Sequence, residues 1–205
     1  MPRDELLSDV ERYYSAKLRE HGATAAGVDW NGEPSQRLRF EQLLRIVEEP
    51  SAGTLIDWGC GYGALAEHIG HGIEYWGHDV SPEMLAAANE RLGGRARLTA
   101  DPDALPVADY VVASGVFNVK QGTDSADWEA YVCDTLDQLA AHARRGFAFN
   151  MLTSWSDADR MRADLYYGDP CKWFSHCKRN YARNVALLHD YGLYEFTVLV
   201  RVDVP

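Results

Sequence analysis

An α/β fold is what this 205-residue sequence predicts: a mostly parallel sheet covered by helices on both faces and finished by an antiparallel hairpin. Three observations carry that expectation. From residue 51 onward, short β-rich runs alternate with helical patterns, as strand–helix–strand crossover units do. The stretch Thr54-Leu-Ile-Asp-Trp-Gly-Cys-Gly-Tyr-Gly63 takes an apolar strand through an acid into a glycine turn. Near the C-terminus, β-rich runs at 185–190 and 194–202 are separated only by Tyr191-Gly192-Leu193, too short a link for a parallel crossover.

The elements follow in order. Leu6, Leu7, Val10, Tyr13, Tyr14 and Leu18 share one helical face over residues 3–20, and Phe40, Leu43, Leu44 and Val47 share another after a Pro34-Ser35 start. A loop from Gly22 to Pro34, containing Trp30, joins the two. Strands are expected near 54–58, 73–79, 96–100, 109–115 and 145–151, with helices near 62–70, 82–92 and 125–143. Ser81-Pro82 is a strong helix start and Gly93-Gly94 a strong stop. Residues 1–50 are thus N-terminal helices placed to roof a pocket, and 51–205 are the core. Within the core, 154–182 follows strand five and is expected to overhang the site as a lid.

With 46% hydrophobic and 25% charged residues, the chain can bury one good core. A formal charge of −11 makes it a poor general partner for nucleic acid or anionic lipid. Cys60, Cys133, Cys171 and Cys177 are irregularly spaced, so no disulfide framework is suggested and a cytoplasmic location is expected. Neither a signal peptide nor a membrane span is read in the chain.

The glycine turn carries the first chemistry. Glycines at 59, 61 and 63 remove Cβ atoms where a ligand approaches the main chain, and a helix opening after them would offer free N–H groups to an anion. Asp79 ends the second strand about twenty residues after the turn, where an acid accepts hydrogen bonds from ribose hydroxyls. Asp101 ends the third, where its carboxylate or nearby backbone could meet a base's exocyclic amine. Three acids, at 57, 79 and 101, at successive strand ends suggest an adenosine-containing ligand. Gly59-x-Gly61-x-x-Ala64 also fits the dinucleotide fingerprint, so an NAD-dependent dehydrogenase competes at this point.

The combination resembles the class I S-adenosylmethionine-dependent methyltransferases. Ile56-Asp57-Trp-Gly-Cys-Gly-Tyr-Gly63 is similar to their first motif, His78-Asp79-Val80-Ser81 to their second, Thr99-Ala100-Asp101 to the adenine-side acid, and Asp109-Tyr-Val-Val-Ala-Ser-Gly115 to their fourth strand. The resemblance implies a Rossmann-like three-layer sandwich with a seven-stranded sheet of order 3-2-1-4-5-7-6, strand 7 antiparallel, and S-adenosyl-L-methionine as cofactor. The cofactor's methionine end would then lie on the glycine turn. Cofactor-side residues are expected to be Trp30, Asp57, Gly59, Cys60, Gly61, Tyr62, Gly63, Asp79, Val80, Asp101, Pro102 and Gly115. Trp30 and Tyr62 are the candidates for an aromatic face against the sulfonium.

Methyl transfer is an in-line displacement, so the protein mainly positions the nucleophile and excludes water. A base is needed only where the acceptor carries its proton. Asn118, just past strand four, could orient acceptor or cofactor; Tyr167, His176 and His189 are candidates on the acceptor side. The segment 154–182 is aromatic and slightly basic, which suits an anionic or sugar-like small molecule methylated at a hydroxyl oxygen. The strand-four segment lacks the Asn/Asp-Pro-Pro-aromatic motif of enzymes acting on nucleobase amines. Cys171, His176 and Cys177 leave a fourth ligand unnamed, so no metal is expected. A monomer or homodimer acting on a small acceptor is the expectation, beside a cofactor-binding protein without catalysis.

Overall fold

A computed structural model describes residues 3–30, 32–48 and 52–202. Seven strands form one sheet: β1 Gly53–Trp58, β2 Ile73–His78, β3 Arg97–Thr99, β4 Ala108–Ala113, β5 Ala143–Leu152, β6 Asn184–Leu188 and β7 Glu195–Arg201. Their order is 3-2-1-4-5-7-6. The first five run parallel to one another, while β7 runs antiparallel to both β5 and β6. This is the Rossmann-like methyltransferase arrangement, and it separates the chain from a dehydrogenase sheet, which stays parallel in the order 3-2-1-4-5-6.

Pleating sends alternate residues to opposite faces. Ile56, Val111, Ala113, Phe147 and Phe149 enter a cluster covered by helices α1 (Arg3–His21), α4 (Ser125–His142) and α5 (Pro170–Asn180). Leu55, Tyr110, Val112 and Ala148 enter a second cluster under α2 (Glu33–Leu43) and the Leu92 end of α3 (Pro82–Leu92). Three layers result. The register aligns Trp58 with both His78 and Ala113, and His78 with Thr99, so the carboxyl ends of β1 to β4 open along one edge.

Helix starts obey their caps. The Ser81 side chain accepts from the Met84 N–H at the start of α3, Asp124 caps α4, and Asp169, followed by Pro170, caps α5. Gly93 ends α3 in the left-handed conformation.

Two expectations are corrected. The helix expected over 62–70 is a five-residue 3-10 segment, Ala64–His68, capped by Gly63. Gly61 and Gly63 hold positive φ at its entry, and Ile69 leaves in extended conformation. The expected lid 154–182 is also divided. Residues 170–180 form α5, which packs on β6 and β7 and buries Trp173 and Cys177 in the core, because those two lie one helical turn apart on one face. The boundary expected near residue 51 falls outside the described residues.

Candidate active site

The glycine turn is held from the side by β2. His78 carbonyl oxygen accepts from the N–H groups of Gly59 (2.7 Å) and Cys60 (2.9 Å), and Gly63 N–H donates to Cys60 oxygen. Asp79 completes the clamp: its Oδ2 accepts from Gly61 N–H at 2.8 Å, and its Oδ1 from Ser81 N–H at 2.9 Å. The N–H groups of Gly59, Cys60, Gly61 and Gly63 are thus bonded within the protein, and a short 3-10 segment stands where an α-helix was expected to offer free N–H groups to an anion.

Around this clamp lies a first cavity, walled by α1 (Leu7, Val10, Tyr14), Trp30, Trp58, Gly59, Gly61, Asp79, Val80, Pro102 and Gly115. Gly59 has φ +75°, and a Cβ there would stand 2.6 Å from Val116. Gly115 also has φ +75°, and its Cβ would stand 2.6 Å from the Trp30 ring. A side chain at either position would fill the cradle, so the cavity is shaped by the two missing Cβ atoms. Among the described residues Asp79 is its one carboxylate; burial pushes its pKa up to about 6, against the pull of the two N–H bonds from Ser81 and Gly61. Apolar walls with one acid suit an adenosine-bearing cation.

Trp30 divides this cavity from a second. Tyr14, Val28 and Trp30 line both. The Arg39 guanidinium lies 3.9 Å from the Trp30 ring centroid, and Arg39 is itself held by Glu195 in a buried pair with contacts of 2.6 and 2.8 Å. The second cavity adds Asn118, Tyr167, Arg160 and Arg162. Asn118 is buried, with Oδ1 accepting from Leu152 N–H and its carbonyl from Tyr166 N–H. Tyr167 is half-buried, and its hydroxyl accepts from Arg162 N–H.

Several expected residues stand away from both cavities. Asp57 lies beneath the turn, where it accepts from the Tyr75 hydroxyl at 2.7 Å; burial, reinforced by the charge of Asp79, pushes it up to about 7 despite that bond. Asp101 is exposed, and its carboxylate caps its own turn by accepting from Asp103 N–H. Tyr62 packs in the opposite core and donates to Gln36, because its side chain leaves the turn on the far face. Cys60 is wedged against Gly77, and a Cβ at Gly63 would meet Leu92, so both serve packing.

Neither expected imidazole reaches the cavities. His176 sits on α5 among Trp173, Asn180 and Tyr181. His189 is exposed beside Phe196. Neither is among the residues that line the second cavity, although Gly192 to Glu195, just after His189, are. Sequence reasoning missed Tyr14, Val28 and Arg39. A signal for Arg39 was present: Gln36, Arg39, Phe40 and Leu43 form the buried face of α2, so an arginine occupies a core position of a helical pattern.

Residues 56–146 match the family described as "Methyltransferase domain". The Mycobacterium tuberculosis (strain ATCC 25618 / H37Rv) protein named "Putative methyltransferase Rv1506c" is 53% identical over 165 residues, 77% of this chain and 98% of its own. Among solved structures, magnesium protoporphyrin IX methyltransferase from Synechocystis PCC 6803 with bound SAM is similar at a TM-score of 0.65, with 13% identity and coverage of 96% of this chain and 97% of that one. N-methyltransferase NodS from Bradyrhizobium japonicum WM9, in complex with S-adenosyl-L-homocysteine, gives a TM-score of 0.66 at 16% identity, covering 94% and 97%. With its sheet order, its clamped glycine turn and a relative 53% identical over 165 residues, this chain belongs to the class I S-adenosylmethionine-dependent methyltransferases.

Proposed function

We propose that the first cavity holds S-adenosylmethionine and that the second holds a small-molecule acceptor, methylated at oxygen. The carrying observation is the pair of cavities with a common wall, Tyr14, Val28 and Trp30, at the carboxyl edge of the sheet. Asp79 would take the ribose hydroxyls, and Val80 and Pro102 would flank the base. Bound there, the cofactor supplies a methyl group already activated for displacement. The chain's own contribution is to shape two adjoining compartments and keep water from the boundary between them.

On the acceptor side, Asn118 and Tyr167 are positioned to orient a polar group. Arg160 has no carboxylate partner among the described residues, and Arg162 adds a second cation, so a polar or anionic acceptor is favoured. A hydroxyl acceptor must lose its proton. No histidine lines this cavity among the described residues, and its two carboxylates are engaged: Glu195 by Arg39, Asp29 by Lys17, Arg162 and the Tyr13 hydroxyl. An oxygen that is anionic before it binds therefore suits the cavity better than a neutral hydroxyl.

Titration calorimetry with S-adenosylhomocysteine and with NAD tests the donor half: the first should bind and the second should not. Binding of NAD alone would overturn the proposal. A cofactor-binding protein without catalysis would bind S-adenosylmethionine and transfer methyl to nothing in a panel of small acids, alcohols and amines.

A further inference from the structure

We infer that the methyl acceptor is a carboxylate and the product its methyl ester; this rests on the second cavity being the acceptor site. The amide, phenol and charged groups left free to meet a ligand there are donors. Asn118 spends its Oδ1 on Leu152 N–H at 3.2 Å, which leaves Nδ2 without a partner among the described residues. The Tyr167 hydroxyl accepts from Arg162 N–H and keeps its own proton to give. Of the arginines lining the cavity, Arg39 is paired with Glu195 and Arg162 with Asp29 and Asp164, whereas Arg160 meets no carboxylate among the described residues. Two neutral donors and one unpaired cation match the lone pairs and the charge of a single carboxylate. The backbone brings that group to the boundary between the cavities, because Asn118 N–H donates to the carbonyl of Gly115, which lines the first.

The same walls suit the alternatives poorly. An alcohol or a protonated amine must lose a proton before it can attack. No histidine lines the cavity among the described residues; Asp29 is engaged by Tyr13, Lys17 and Arg162, and Glu195 by Arg39. Burial holds the Tyr14 phenol far above its ordinary range, so it stays protonated. Ser35 and Ser156 direct their protons to the carbonyls of Gly32 and Thr153. A protonated amine would also meet Arg160 as a like charge, and a phosphate monoester would bring a second negative charge that one free cation leaves unmatched. A carboxylate is already ionised at neutral pH. One of its oxygens attacks the methyl carbon: the C–O bond forms as the C–S bond breaks, the electron pair of that bond stays on sulfur, and no proton moves. The products are a neutral ester and S-adenosylhomocysteine.

The test offers the wild-type protein and S-adenosylmethionine a matched set on each of an aromatic, an alkyl and a sugar skeleton: carboxylate, primary alcohol, primary amine and phosphonate. On at least one skeleton the carboxylate should turn over at least about tenfold faster than its three counterparts. Mild alkali should release its methyl group as methanol, which ethers and N-methyl groups do not do. The rate should change less than about twofold from pH 7 to pH 9, where an alcohol or amine acceptor would gain up to about tenfold per unit. Arg160→Gln, at an exposed position, should raise the KM for that carboxylate roughly tenfold and Arg160→Lys should restore most of it, while S-adenosylhomocysteine affinity stays within about twofold in both. Preference for the alcohol or the phosphonate, or an unchanged KM in Arg160→Gln, overturns the inference and leaves methylation at oxygen standing. Preference for the amine, or transfer to no member of the sets, overturns it together with the acceptor reading beneath it. Failure of S-adenosylhomocysteine to bind the wild type sinks the assignment of both cavities.

Discussion

Gly115→Ala is the sharpest probe of the wall between the two cavities. Gly115 has φ +75°, a conformation that costs an alanine about 1–2 kcal/mol. Its Cβ would then stand 2.6 and 2.8 Å from two carbons of the Trp30 ring. Neither side yields easily. Gly115 N–H is held by the buried Asn150 side chain at 2.7 Å, and the indole is backed by the Arg39 guanidinium, itself pinned by Glu195. Overpacking of this kind costs about 1–3 kcal/mol, so the variant should lose about 2–5 kcal/mol in all. A double-mutant cycle isolates the steric part. In Trp30→Ala/Gly115→Ala the ring is gone, so the double variant should be about 1–3 kcal/mol more stable than the sum of the single losses implies. Urea denaturation of the four proteins gives the cycle, and calorimetry with S-adenosylhomocysteine should show at least a tenfold weaker Gly115→Ala. Additivity within about 0.5 kcal/mol would refute the contact between Trp30 and Gly115.

Three further outcomes follow from the same geometry. Asp79 is raised to about 6, and ribose hydroxyls donate to its ionised form; calorimetry across pH 5–8 should therefore show S-adenosylhomocysteine affinity falling as pH drops through about 6, by up to about tenfold per unit, and Asp79→Asn should abolish that dependence. Asp57 is raised to about 7, so its contribution to stability is full below its unfolded pKa and is lost as pH rises through about 7; Asp57→Asn, which keeps an acceptor for Tyr75, should flatten that decline, and urea midpoints at acid and mildly alkaline pH with the same slope in both proteins would contradict it. His176→Ala should leave kcat and KM within about twofold of wild type while costing about 1 kcal/mol in a melt, because the ring packs against Trp173 and Tyr181 away from both cavities; a large kcat loss at unchanged stability would restore it as a base.

The sheet was legible because local chemistry specified it. Ser81-Pro82 and Gly93 bracket α3 as caps should, the acid in Asp57-Trp58-Gly59 marks the end of β1, and the short link after β6 forces the antiparallel pairing seen between Leu188 and Thr197. Much of the first cavity was legible as well, since Trp30, Gly59, Gly61, Asp79, Val80, Pro102 and Gly115, all singled out in the sequence, line it. Residues whose role depends on tertiary placement were not. Asp101 caps a turn, Tyr62 turns to the opposite core, and the aromatic content of 170–180 belongs to a sheet-covering helix whose start, Asp169-Pro170, has the same form as that of α3. Arg39 escaped notice because its partner, Glu195, lies far along the chain, and no local pattern pairs them.

That long-range pair explains why the first cavity is easier to read from sequence than the second. The first cavity is built largely at strand ends, where register with the neighbouring strands fixes each residue. The second cavity gathers Asp29, Arg39, Asn118, Arg162 and Tyr167 from well-separated stretches outside the strands, beside Glu195 at the start of β7. The two are nevertheless joined at Trp30, which rests on Gly115 at one side and on Arg39 at the other. A ligand that shifts the indole in one cavity changes the wall of the other. Linkage then makes the effect reciprocal: whatever factor the cofactor imposes on acceptor affinity, the acceptor imposes on cofactor affinity. The Arg39–Glu195 pair backs the indole on the side away from Gly115.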